Sequence, residues 1–356
     1  MRKKSNVLNN NAVFTLIAIA IGFLVGAILL IIAGISPAEA YGRLLTSIFS
    51  KPKYMVWSVI YATPLIFTGL SVAFSFRMGM FNIGAEGQYV VGALAACVVG
   101  IMVDVPAIIH VPLCILASIV AGALWALIVG YLKIKRGINE VLSFIMFNWI
   151  AFYLSNYVVN LSVIHKVGGG EASKDILESS RILLPENIRT ALGCSNANYG
   201  IIIAIVVASI IWFILKKTTL GYKICAVGFN KNASKYGGIN SNKTTMIAMA
   251  ISGGLAGLGG AVQLLGMSGR ISQFAGQEGL GFQGITVALI ASSNPIGCIF
   301  AGLFYGAMKY GGSKLSLINA PAEIVDIIMG TIILFIAISH IFKILFKKRA
   351  LKKEVK

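Results

Sequence analysis

Acidic residues are scarce in this chain. Twelve Asp and Glu stand against 30 Lys and Arg, and charged residues of both signs fill only 12% of 356 positions. A water-soluble chain carries about twice that share, so the shortage excludes an ordinary soluble globule. Histidine is rarer still: His110, His165 and His340 are isolated near the ends of apolar runs and read as interfacial side chains. The five cysteines show no CxxC spacing, and Cys97, Cys114 and Cys298 sit inside apolar runs. That pattern suggests neither a disulfide framework nor a zinc site. With no His, Asp or Cys constellation for nucleophilic or metal chemistry, the sequence offers no catalytic residue, metal ligand set or cofactor site. The chain reads as a non-enzyme.

What it has instead is hydrophobicity, at 57% of residues and a mean hydropathy of +0.86. The net charge of +18 is gathered beside apolar runs: Arg2, Lys3 and Lys4; Lys133, Lys135 and Arg136; Lys216 to Lys243; and Lys343 to Lys356. This is how cytoplasmic loops of a multi-pass membrane protein look, and it speaks against nucleic acid as a partner. The expected fold is an all-α polytopic membrane protein, one transmembrane domain over residues 1–356, in a lipid bilayer with both termini cytoplasmic.

A helix needs about 20 apolar residues to cross the hydrocarbon core. Runs of that kind cover Ala12 to Ile35, which is long enough to be a retained span, and Tyr54 to Phe76, where Pro64 predicts a freed carbonyl and a kink. Others end near Val103, cover Pro106 to Leu132, and extend from Ile138 to Val159. Residues 160–199 carry balanced charge and read as an extracytoplasmic loop, followed by Gly200 to Leu215. Residues 216–243 form a large basic cytoplasmic loop. Thr244 to Met267 has Gly253, Gly257 and Ala261 at four-residue spacing, which lets helix backbones approach closely. A short-helix pair near 281–309 crosses twice or re-enters, and Ala322 to Phe342 closes the set. About ten crossings are expected if both short segments cross.

The stretch Arg77-Met-Gly-Met-Phe-Asn-Ile-Gly-Ala-Glu-Gly-Gln88 interrupts this apolar pattern. Polar side chains at membrane depth are costly unless partnered, and irregular backbone survives there only in protein or beside a cavity. The third span is therefore expected to be broken, with Asn82, Glu86 and Gln88 progressively deeper. Glu86 either lines a path or ties down the broken helix. In the basic loop, Asn230 predicts an N-cap, Lys231 to Tyr236 a short helix, and Gly237-Gly238 its stop. Nearby, Gly237-Gly-Ile-Asn-Ser-Asn-Lys243-Thr244 approaches a phosphate-binding loop. Asn242 replaces its second glycine and no strand precedes it, so the pattern is rejected.

Four passages resemble the membrane permease subunits of ABC importers, in the family serving branched-chain amino acids, simple sugars and nucleosides. They are Gly79 to Gln88; Arg136-Gly-Ile-Asn-Glu-Val141 with Ile145-Met-Phe-Asn148; Gly228 to Ile239; and Gly279 to Leu289 with Asn294-Pro-Ile-Gly297. The first is similar to the signature of the nucleoside and simple-sugar branch. The resemblance implies a type II importer-like fold and a bacterial cell-membrane location. It also implies three partners: a second permease chain as a hetero- or homodimer, a separate ABC ATPase that hydrolyses ATP, and an extracytoplasmic substrate-binding lipoprotein. Asn82, Glu86, Gln88 and Asn148 are then expected along the substrate path, with Phe81 placed to stack on a base and Gln277, Glu278 and Gln283 near the outer mouth. Gly228, Asn230, Ala233, Tyr236, Gly237 and Gly238 would couple to the ATPase. The alternative is an ion-gradient-driven secondary transporter, for which Glu86 is the strongest mid-span carboxylate.

Overall fold

The computed structural model describes residues 11–168, 170–318, 320–321, 323–336 and 338, with side chains from residue 15. The basic ends (Arg2 to Lys4 and Lys343 to Lys356), His340 and the end of the last run lie outside the described residues. Among the described residues the chain is helical, and only isolated bridges occur in place of strands. Seven helices are long and apolar enough to cross a membrane.

The chain forms two compact units, residues 1–54 with 307–356, and residues 55–306. In the first, α1 (Asn11–Ile32) packs on the last helix, α14 (323–336), through Gly22 and Gly26, which lie against Ile332 and Ile328. Helix α2 (Pro37–Phe49) was not expected from hydropathy, yet Ser36 caps it through Glu39 N and Pro37 opens it, a standard start signal. It buries Leu44 and Ile48 while leaving Leu45 and Phe49 exposed, so it is amphipathic.

The second unit holds most of α3 (Pro52–Arg77), which runs through Pro64 as one unbroken helix. It also holds α4 (Ala85–Met102), α5 (Ala107–Arg136), α6 (Glu140–Val159), the short α7 (Glu186–Leu192) and α8 (Gly200–Lys217). Then come α9 (Thr219–Phe229), α10 (Lys231–Tyr236) and α11 (Ser241–Gln263), which ends in a π-turn at Leu264–Ser268. Helix α12 (Leu280–Ile290) and the start of α13 (Pro295–Gly312) complete the unit. At 11 residues α12 is too short to span by itself.

The glycines of α11 pack its neighbours at backbone distance. A Cβ on Gly253 or Gly257 would strike α5 at Gly122 and Ser118, and one on Gly260 would strike α4 at Tyr89. Ser118 Oγ donates to Gly257 O at 2.5 Å across that contact. His110, expected at an interface, is fully buried. Its ring nitrogens meet Ser179 Oγ at 2.8 Å and Val99 O at 3.2 Å. The loop after α6 lies along residues 269–273, with Ser173 N donating to Ile271 O and Gln273 N to Glu171 O.

Candidate functional site

Helix α3 ends where Gly79 takes a left-handed conformation, φ +73°, and Met78 and Met80 N both return to Ser75 O. The turn sends residues 80–84 back alongside α3, so Asn82 meets Ser71 instead of extending past Arg77. Asn82 Nδ2 donates to Ser252 Oγ at 2.8 Å and Gln88 Oε1 at 2.9 Å, and lies 3.2 Å from Ser71 Oγ. Its Oδ1 accepts Gln88 Nε2 and Gly84 N, both at 3.1 Å. Ser252 Oγ reaches Ser71 O at 2.8 Å and Ser75 Oγ at 2.6 Å. All five side chains are buried, so three helices share one polar knot. Each side chain meets a partner that removes much of the cost of burying it.

Asn148 of α6 continues the arrangement. It donates to Ile83 O at 3.1 Å and accepts Gly87 N at 2.9 Å, tying α6 to both sides of the break.

Glu86, in the first turn of α4, is also buried. Its Oε1 accepts Gly279 N at 2.8 Å and its Oε2 accepts Gly281 N at 2.6 Å. It therefore covers the N-terminus of α12, where free amides and the helix dipole favour a negative group. Thr68 Oγ1 donates to Leu280 O at 3.1 Å, and Thr68 lies nine residues before Arg77, about 13 Å along α3. At the other end of α12, Arg77 Nε donates to Ser293 O at 3.0 Å. Residues 269–279 are thus irregular and lead into the helix 280–290. This segment and the break after α3 meet at Glu86.

A cavity of about 390 Å³ opens beyond this junction, lined among others by Tyr89, Gln263, Arg270, Gln273, Phe274 and Glu278. It lies at Gly260 to Leu264 of α11, eight or more residues beyond Ser252, or at least about 12 Å along that helix. Its size falls within the usual range for small-molecule pockets, about 300–1,000 Å³. Asn156 of α6 holds the Phe274 backbone by two bonds, to N at 2.8 Å and O at 3.0 Å. Arg270 lies 4.0 Å from Asp175, which also takes a 2.6 Å bond from Lys166. That lysine bond, joined by the charges of Lys166, Arg270 and Arg181, holds the Asp175 carboxyl below the usual aspartate range against an opposing desolvation effect.

The residues singled out from sequence fall into separate groups. Asn82, Glu86, Gln88 and Asn148 are brought together, but through one another and through backbone, and they do not line the cavity. Phe81 lies against Phe76, with ring centroids 5.6 Å apart and nearly parallel. Gln283 presents a buried Oε1 without a partner among the described residues. Of the cavity residues, only Glu278 drew notice from its position near the outer mouth. Tyr89, Gln263, Arg270, Phe274 and the positioning residue Asn156 carried no motif. Gln263 and Arg270 are polar groups at the end of a span, a weak signal that was available.

At the Arg77 end, α9 and α10 form a hairpin. Asn230 Oδ1 accepts Asn232 N and Ala233 N, both at 3.0 Å, capping α10, which ends at Gly237 with Gly238 at φ +75°. Tyr222, Phe229 and Tyr236 are exposed there, the last two almost completely, at 96% and 95%.

The family described as "Branched-chain amino acid transport system / permease component" matches residues 54–337. The chain is 39% identical to the guanosine ABC transporter permease protein NupP of Bacillus subtilis, over 95% of this chain and 96% of that one. It is 30% identical to the glucose ABC transporter permease protein TsgB13 of Haloferax volcanii, covering 90% and 85%. A second Bacillus subtilis protein, the guanosine ABC transporter permease protein NupQ, is 31% identical over 73% of this chain and 82% of its own length. The chain belongs to this permease family.

Proposed function

We propose that this chain forms the membrane path for a nucleoside or simple sugar in a binding-protein-dependent ABC importer. The carrying observation is the junction at Glu86, where the break after α3 meets the irregular segment before α12 beside a solute-sized cavity; we read both segments as interrupted spans. Interrupted spans of this kind are where transporters place their substrate routes. The whole chain acts as one permease domain with a type II importer-like fold. Its shorter helices α12 and α13 and the last run complete about ten crossings. Under the positive-inside rule the Arg77 end and both termini face the cytoplasm, so the cavity opens on the outer side.

Solute released by an outer lipoprotein enters between Tyr89 and Phe274, whose rings suit a base, while Gln263, Gln273 and Glu278 suit hydroxyls and ring nitrogens. Its onward route passes the junction. There Gln283 Oε1 supplies an unused acceptor, and Asn82, Glu86, Gln88 and Asn148 become path-lining when α12 moves. Phe81 lies below them at the cytoplasmic exit. NupP and NupQ are both guanosine ABC transporter permease proteins of Bacillus subtilis, which supports a second, related permease chain beside this one.

ATP is hydrolysed by a separate ATPase that docks on Gly228, Asn230, Ala233, Tyr236, Gly237 and Gly238. Its grip differs between the inward- and outward-facing states, since equal affinity would shift nothing.

The test is uptake in proteoliposomes by the assembled complex, comparing guanosine, free pentose and glucose with and without ATP. ATP-dependent uptake of one class is expected. Uptake that survives ATP depletion and collapses with an ionophore would replace this reading with an ion-driven carrier.

A further inference from the structure

The first unit contains a cavity of about 250 Å³ that shares no lining residue with the one described above. Arg43 of α2, Lys51 before α3 and Lys314 beyond α13 converge on it, with the hydroxyls of Ser47, Ser50 and Tyr54 in the same wall. Among the described residues no acidic side chain lines it; Glu39 lies one turn before Arg43 on α2, outside the wall. None of the ion pairs among the described residues involves these three cations. Lys314 Nζ instead sits 5.5 Å from the centre of the Tyr310 ring, a weak hold for an ammonium group.

Three cations gathered without a counter-charge repel one another, so an anion entering the cavity relieves a cost already present. The first turn of α3, beginning at Pro52, adds the positive end of a 26-residue helix dipole. Hydroxyl donors at three points suit an oxyanion with several oxygens.

The surroundings point to what carries that anion. Leu45 and Phe49 of α2 and Leu317 beside Lys314 are large, apolar and exposed, at 55%, 63% and 64%. Helix α2 thus has the form of a segment lying in the membrane surface, with apolar side chains toward acyl chains and charge toward headgroups. We propose that this cavity binds the phosphate of an anionic phospholipid, whose acyl chains run along Leu45, Phe49 and Leu317. The site is independent of the transported solute, and its failure would leave the transport reading untouched.

The test uses the purified full-length chain, delipidated and titrated with phosphatidylglycerol or phosphatidylcholine under native mass spectrometry. Wild type should prefer phosphatidylglycerol at least tenfold. Arg43→Gln, Lys51→Gln and Lys314→Gln should each weaken that preference about fivefold, the usual effect of one basic residue near an anionic surface. Lys53→Gln, next to the cavity but outside its wall, should change it less than twofold. Thermal unfolding in phosphatidylcholine, equal to wild type for each single variant, shows that the fold is kept. Equal binding of the two lipids, or an equal loss in Lys53→Gln, overturns the site. Inorganic phosphate at about 10 mM should leave the bound lipid in place; displacement makes this a free-phosphate site and overturns the lipid assignment.

Discussion

Gly79 and Gly228 lie back to back. A Cβ on Gly79 would stand 3.1 Å from Gly228 O, and one on Gly228 would overlap the carbonyl of Arg77 and the backbone of Met78. The turn that closes α3 and the hairpin carrying Asn230 are therefore in backbone contact. Movement of α9 and α10 by a docked ATPase would press directly on the break at residues 78–84.

Gly228→Ala should accordingly push α9 off the turn and lower transport at least tenfold, with assembly preserved. Gly330→Ala is the control, since a Cβ there would meet nothing within 4 Å and its uptake should match wild type. Uptake assays on both, beside co-purification of the ATPase, decide the matter. Equal defects would remove the coupling role of the glycine contact.

Glu86→Ala leaves Gly279 N and Gly281 N facing a void. Each buried donor left without an acceptor costs about 1–3 kcal/mol, so a loss of roughly 3 kcal/mol is expected for the two amides. Glu86→Gln retains one acceptor oxygen and should lose about half as much. Thermal unfolding of the purified chain measures both. An Ala variant as stable as wild type would mean that the two amides find other partners.

Asn82→Ala and Gln88→Ala remove halves of one reciprocal pair. Each should cost about 1–3 kcal/mol, and the double variant less than their sum, by about 1 kcal/mol. Uptake measured beside stability separates two roles. Loss of transport beyond what the stability loss explains places these residues on the path, whereas parallel losses make the knot purely architectural.

Asn156→Ala frees the Phe274 backbone without touching solute. It should raise the half-saturating concentration for uptake about tenfold and leave assembly intact. Gln263→Ala, which removes a polar group from the cavity wall, should do the same with no change in unfolding temperature. Unaltered uptake in both would exclude the cavity from the route.

Asp175 supplies a pH test. Its folded-state pKa lies below the ordinary 3.8, first through the bond from Lys166. Its contribution is therefore complete above about pH 3.8 and fades as pH falls through the lower folded value. Amide exchange at Ser173 and Ile176, which bond to residues 271 and 269, should be independent of this group from neutral pH to that point and rise below it. Asp175→Asn should abolish the rise.

Much of the fold could be read from the chain because its signals are local. Apolar runs long enough to cross a bilayer, basic clusters at their ends and the small-residue spacing in α11 each act through the one segment that carries them. The α10 helix was equally plain, since Asn230 and the Gly237-Gly238 stop satisfy its own ends. Helix α2 was missed because its length falls below that of a span, although Ser36, Pro37 and Glu39 announced its start.

Burial alone is what composition could say of Asn82, Glu86, Gln88 and Asn148: polar groups in an apolar setting need partners. Which partners they take is a long-range matter. Glu86 meets Gly279 and Gly281 across about 195 positions, Asn82 meets Ser252 across 170, and Asn156 meets Phe274 across 118. Hydrogen-bond geometry over such separations depends on how helices are docked, and no spacing along the chain encodes it. The sequence by itself determined a multi-pass membrane chain with a polar break at Arg77 to Gln88. Only the tertiary structure decided that the start of α12 meets that break at Glu86, because backbone amides at a helix N-terminus carry no sequence mark of the carboxylate that will cover them.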